Sequence, residues 1–184
     1  KAGFKFFIAG GKNTFFSSGW FYDWMNAAND ATISKFPESF GRVGRARVAW
    51  YGQKHIGVEN PAFNRREYGM GSFLAGYSAQ CNYAHHLGPY NDDSVTYRPM
   101  VFAYGTYDGV LDTIQWEGFR EGVDDVRYAS EMLMLAERAI ATKAGQLARH
   151  YLATFDRKRD DLNLCRMTMI EHILKLRELL GEKE

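Results

Sequence analysis

The stretch Tyr104–Tyr128, Y-G-T-Y-D-G-V-L-D-T-I-Q-W-E-G-F-R-E-G-V-D-D-V-R-Y, packs a turn, a helix start and a dense alternation of charge into one short segment. Asp108-Gly109 is a turn pair, because Asp bonds to its own backbone and Gly accepts positive φ. Asp112 with Gln115 three residues on has the spacing of a capping box. From there Trp116, Phe119, Val123, Val126, Leu133, Ala136 and Ile140 recur at helical spacing, which predicts a long helix with those residues on its buried stripe. Arg120 and Asp124 are i,i+4 neighbours on it, as are Asp124 and Tyr128. Glu117, Glu121 and Asp125 form a second row at spacing four. Like charges so placed repel unless Arg120, Arg127 or a cation from another segment intervenes. The helix N-terminus recovers about 0.3–1 kcal/mol for each carboxylate near it. Such a row can be read as an acid/base cluster. Carboxylates that cleave a bond between sugars must flank it, however, and neighbours on one helix cannot easily do so. An ion-pair network locking the helix in place is therefore the expectation.

Upstream, short apolar runs alternate with helix-length segments. Phe4–Ala9, Ala31–Ser34, Arg47–Tyr51 and Ala79–Ala84 read as strands, and Trp20–Ala28 reads as a short helix. Asn60-Pro61 is a helix start, with Asn to cap free N–H groups and Pro at the first helical position. Downstream, Gly145–Phe155 and Asp160–Leu180 read as amphipathic helices, with Leu162, Cys165, Met169, Ile173 and Leu180 on one face of the second. Strands spaced by helices predict βα units and a parallel sheet. The expected fold class is α/β: the second half of a (β/α)8, TIM-like barrel followed by a C-terminal helical tail. Residues 1–112 would be late βα units, and residues 113–184 would be helices packing on the barrel. The chain opens directly on a strand-like run, which reads as processed or truncated, with the N-terminal half of a single domain missing.

Composition limits the partners. A hydrophobic share of 46% over 184 residues supports a core, and the 15% aromatic share is high: core packing takes most of those rings, and about a quarter could line a carbohydrate groove. A net charge of +1 gives no electrostatic case for nucleic acid or for an anionic membrane. No apolar run approaches the roughly 18 residues of a membrane span. Cys81 and Cys165 form no C-x-x-C motif. His55, His85, His86, Asp92 and Asp93 lack metal-ligand spacing, so no metal is expected. Gly10-Gly11-Lys12-Asn13-Thr14 lacks the spacing of a phosphate loop, no G-x-S-x-G elbow occurs, and no cofactor is expected. In a barrel the strand ends and the loops after them line the site. That rule selects Trp50, Tyr51, Gln53, Asn82 and Tyr83, with at most one ring of each adjacent pair facing a pocket.

The segment from Asp108 to Tyr128 resembles the C-terminal signature of glycoside hydrolase family 123 and the related domain-of-unknown-function family 4091. There a D-G turn precedes a helix of the form R-x-E-A-x-R-E-G-x-x-D-Y-x-Y. Asp108-Gly109, Arg120-Glu121-Gly122, Asp125 and Tyr128 match it, while Gln115, Gly118 and Val126 depart from it. The likeness extends over roughly residues 47–135. It implies a barrel that hydrolyses glycosides, N-acetylhexosaminides in the characterised cases, with the substrate's acetamido group as nucleophile assisted by an Asp-Glu pair. This chain contains no Asp-Glu dipeptide, so no catalytic residue is carried over. What the resemblance implies instead is a pocket wall of Trp50 or Tyr51, Tyr83 and Tyr104. The expected function is that of the C-terminal half of a glycoside hydrolase-like protein, inert alone. The alternatives are a non-catalytic carbohydrate-binding or assembly module and a helical interaction domain. The expected partners are a carbohydrate and either the missing N-terminal half or a second copy, because a half barrel has open sheet edges.

Overall fold

The computed structural model describes residues 7–10, 24–29, 47–52, 60–82, 103–156 and 159–182. Phe7–Gly10 (β1), Trp24–Asn29 (β2), Arg47–Gly52 (β3) and Ala79–Asn82 (β4) form a four-stranded sheet in chain order. All three pairings are parallel. The segment expected to be a helix, Trp20–Ala28, instead contributes β2. W-M-N-A-A-N has no strong strand signal of its own. Ladders to β1 on one side and β3 on the other satisfy its backbone, whereas so short an isolated helix is marginal. The expected strand Ala31–Ser34 lies outside the described residues.

The crossover from β3 to β4 carries α1 (Pro61–Arg66), a π-helical stretch (Glu67–Gly71) and α2 (Ser72–Leu74). Asn60 caps α1 as expected, its side chain accepting the Phe63 N–H at 3.0 Å, with Pro61 in the first turn. Ala103–Gly105 (β5) and Val110–Asp112 (β6) make an antiparallel hairpin, and the Thr106 N–H donates to the Gly109 carbonyl at 2.8 Å across the Asp108-Gly109 turn. Then come α3 (Ile114–Arg138), α4 (Lys143–Thr154) and α5 (Leu162–Leu180).

Thr113, not Asp112, caps α3: its backbone is extended and its hydroxyl accepts the Trp116 N–H at 3.1 Å. Asp112 ends β6 one residue earlier. Thr113→Ala should therefore lower stability by about 1 kcal/mol, whereas Asp112→Ala should stay within about 0.5 kcal/mol, as read from urea midpoints. Equal effects of the two would put the cap elsewhere.

The second half of a (β/α)8 barrel is not the architecture found. Helices make up most of the described residues, and the hairpin after β4 is antiparallel, which a barrel of parallel strands does not contain. The main buried cluster sits between helices: Met70 from the π stretch, Ala129, Met132 and Leu135 from α3, Leu152 from α4, and Met169 and Leu176 from α5. It is a helix-on-helix core, in which three amphipathic helices turn their apolar faces to one another.

On α5 the expected stripe is the buried one, Leu162, Cys165, Met169 and Ile173, completed by Leu176 where Leu180 was expected. On α3 only Ala136 of the expected stripe is fully buried. The buried face is Gln115, Gly118, Gly122, Asp125, Ala129, Met132, Leu135 and Ala136, while Trp116, Phe119, Val123, Val126 and Leu133 are only partly covered and Ile140 is exposed beyond the helix end. The first half of that face, Gln115, Gly118, Gly122 and Asp125, carries no hydrophobic period, so pattern reading selects its neighbour there.

Candidate functional site

The parallel register brings three polar or small residues into one row at the carboxyl end of the sheet. Asn29 of β2 pairs with Gly52 of β3, and Gly52 pairs with Asn82 of β4. One and two residues before the row, Tyr51 pairs with Cys81 and Trp50 with Gln80. The structure thus places Trp50, Tyr51 and Asn82 together at one sheet edge. Asn29 joins them; a helix expected over Trp20–Ala28 gives the residue after it no place at a strand end. Gln53 and Tyr83 lie outside the described residues. Tyr104 is in β5, paired with Leu111 and half-buried, on the separate two-stranded sheet.

The charged row on α3 is a structural joint. Asp125 is 1% exposed and lies between two arginines from distant segments. Arg65 of α1 donates to both its oxygens, from Nε at 2.7 Å and Nη2 at 3.1 Å, and Arg166 of α5 donates from Nε at 2.6 Å. Arg166 continues to the Glu121 carboxylate at 2.7 Å and the Glu121 carbonyl at 2.9 Å, and lies 5.8 Å from the centre of the Tyr128 ring. Arg65 also donates to the Asn163 side chain at 2.6 Å. Two guanidiniums thus face two carboxylates. Burial works against the charge of Arg166, but Asp125 and then Glu121 outweigh it and raise its pKa. Arg120 lies on the outside of the helix and pairs with Glu117 at 2.9 Å, Glu121 at 3.1 Å and Asp124 at 3.5 Å. The row is therefore relieved from both sides, its exposed members by Arg120 as expected and the buried Asp125 by cations from other segments.

Glycines let the joint close. A Cβ on Gly118 would lie 2.3 Å from the Pro61 carbonyl oxygen, and one on Gly122 would lie 2.7 Å from that of Arg65. Gly69, in a non-helical kink of the π stretch, meets Gly122 in the same way, a Cβ there lying 2.8 Å from the Gly122 Cα. The absence of a side chain at Gly118 is thus what admits the first turn of α1. Beneath this contact the buried Asn64 amide donates to the Gln115 carbonyl at 3.1 Å.

Glu121, Gly122 and Asp125 are therefore occupied in packing α1 and α5 onto α3. No protein-family model matches the chain, and no curated protein matches it. Among the described residues no group of three or more His, Cys, Asp or Glu side chains could hold a metal ion. No described helix is long and apolar enough to cross a membrane. His55, His85, His86, Asp92 and Asp93 lie outside the described residues.

Proposed function

We propose that this chain serves carbohydrate recognition in a glycoside hydrolase-like protein that hydrolyses glycosidic bonds, N-acetylhexosaminides among them, with the acid pair supplied from outside these 184 residues. The observation that supports the reading is the Asn29–Gly52–Asn82 row at the carboxyl edge of a parallel sheet, beside Trp50 and Tyr51. Ligands of open α/β sheets bind outside that edge. Asn side chains both donate and accept, as sugar hydroxyls require, and aromatic rings suit the apolar face of a pyranose. Asp125 and Glu121 pair with Arg65 and Arg166, an arrangement that joins helices.

Titration of N-acetylglucosamine into the chain, followed by calorimetry, should show binding that Asn82→Ala or Trp50→Ala weakens about tenfold, the worth of a hydrogen bond or ring contact. Arg120→Ala should leave it unchanged. Absence of any binding would overturn the reading. Turnover of an N-acetylhexosaminide by the chain alone would overturn the placement of the acid pair. The second reading, a non-catalytic binding or assembly module, is favoured by the lack of an Asp-Glu pair; it gives the same binding result but no hydrolysis in the complete protein.

A further inference from the structure

We infer that the free edge of the β5–β6 hairpin docks a second copy of this chain, β6 pairing with β6 antiparallel about a two-fold axis through Leu111. Among the described residues β6 has β5 as its only neighbour. The Thr106 N–H donates to the Gly109 carbonyl, so those two residues form a hydrogen-bonded pair across the turn. Alternation along an antiparallel ladder makes Tyr104 and Leu111 the next such pair. Val110 and Asp112 therefore turn their N–H and C=O groups away from β5, onto an open edge. Tyr107, Val110, Leu111 and Ile114 are each more than half exposed, so large apolar side chains cluster along that edge. A two-stranded hairpin is marginal alone, and a free edge is ordinarily blunted by lysine, proline or a bulge. β6 is V-L-D in unbroken register and has none of these.

Symmetry selects the occupant. Val110 and Asp112 stand one residue either side of Leu111, so a two-fold axis there sets each Val110 opposite Asp112 of the second copy and pairs every outward backbone group of both edges. Leu111 then faces Leu111 of the second copy in a non-hydrogen-bonded pair, where side chains approach most closely. The same axis carries Tyr107 of each turn to the start of the other copy's α3, where Ile114 is exposed. Charge favours this arrangement over the parallel one: Asp112 lies across from valine, whereas parallel pairing in register sets Asp112 beside Asp112. An isologous contact of this kind consumes both edges, so assembly stops at the dimer. A ladder of three residues a side is small, and the dimer is accordingly weak and reversible. The carboxyl edge of the parallel sheet takes no part in it, so the dimer stands independently of the carbohydrate reading.

Sedimentation of the full chain from about 10 μM to about 1 mM, where so small an interface associates, is the test. The mean mass should rise from 21.1 kDa towards that of a dimer and no further. Leu111→Lys sets two ammonium groups on the axis and should weaken association by about tenfold or more, with circular dichroism unchanged because the side chain is exposed. Val110→Pro, which removes an outward N–H, should act in the same direction. Oxidation of Leu111→Cys should give a disulfide-linked dimer, since the two Cα atoms would stand about 4.5 Å apart. Val110→Cys, across from Asp112, should not crosslink. A monomer at every concentration would overturn the proposal, as would growth beyond a dimer. A dimer that Leu111→Lys leaves intact would place the interface elsewhere and overturn it equally. Crosslinking of Val110→Cys as ready as that of Leu111→Cys would overturn the antiparallel pairing.

Discussion

Asp125→Ala should lower the unfolding free energy by about 3–5 kcal/mol, the largest effect of any single charge removal among the described residues. The magnitude comes from what is left behind rather than from the bond lost. Arg65 and Arg166 are 15% and 21% exposed at their side chains, and both would keep a charge in a partly dry site with its main counter-ion gone. Burying two ions is costly in itself, so the joint as a whole adds little net stability. A triple replacement, Arg65→Met with Asp125→Leu and Arg166→Met, should recover most of the loss. Arg120→Ala is the control. That side chain is 51% exposed and water screens its pairs with Glu117, Glu121 and Asp124, so its removal should leave the urea midpoint almost unchanged. Urea denaturation at unchanged m-value measures all three variants. A loss near 1 kcal/mol for Asp125→Ala would mean that the two arginines find water or other partners, and the joint would not be what holds α5 to α3.

Gly118→Ala and Gly122→Ala test the same joint by shape alone. Helix propensity predicts that each substitution stabilises, since Ala is better than Gly in a helix interior by about 1 kcal/mol. The packing predicts the opposite sign. At Gly118 the new methyl would sit 2.3 Å from the Pro61 oxygen and 2.7 Å from its Cα, and at Gly122 it would sit 3.1 Å from the Gly69 nitrogen as well as against Arg65. These are backbone atoms, which cannot rotate aside, so α1 would have to move off α3 and pull Arg65 from Asp125. We expect a net loss of about 1–3 kcal/mol for each, the overpacking cost exceeding the propensity gain. The two sites share α1 as neighbour, so their effects should not add. A rise in stability for either would show that α1 shifts freely and that the close approach is not required.

Legibility in the sequence followed the range of the interaction. The Asn60-Pro61 start of α1 was readable because cap and partner are three residues apart and the chemistry is local. The cap of α3 was misplaced by one residue because Asp112 and Thr113 are both good caps; only backbone geometry, extended at Thr113, separates them. The strand at Trp24–Asn29 was unreadable for a different reason. Its six residues take their state from two flanking strands, and with it went Asn29, the one member of the sheet-edge row that the chain's pattern hid.

The sequence by itself determined that long helices follow Thr113, which face of α5 turns inward, where the hairpin turns, and that a row of carboxylates on α3 would need cations. These are consequences of residue type and short-range periodicity. Which cations answer, and which face of α3 is buried, was decided only by the tertiary structure. Arg65 lies 60 residues from Asp125 and Arg166 lies 41 residues from it, and no local spacing encodes either meeting. The inward face of α3 is the one on which missing side chains let another backbone approach, and absence of a side chain leaves no hydrophobic signal to read.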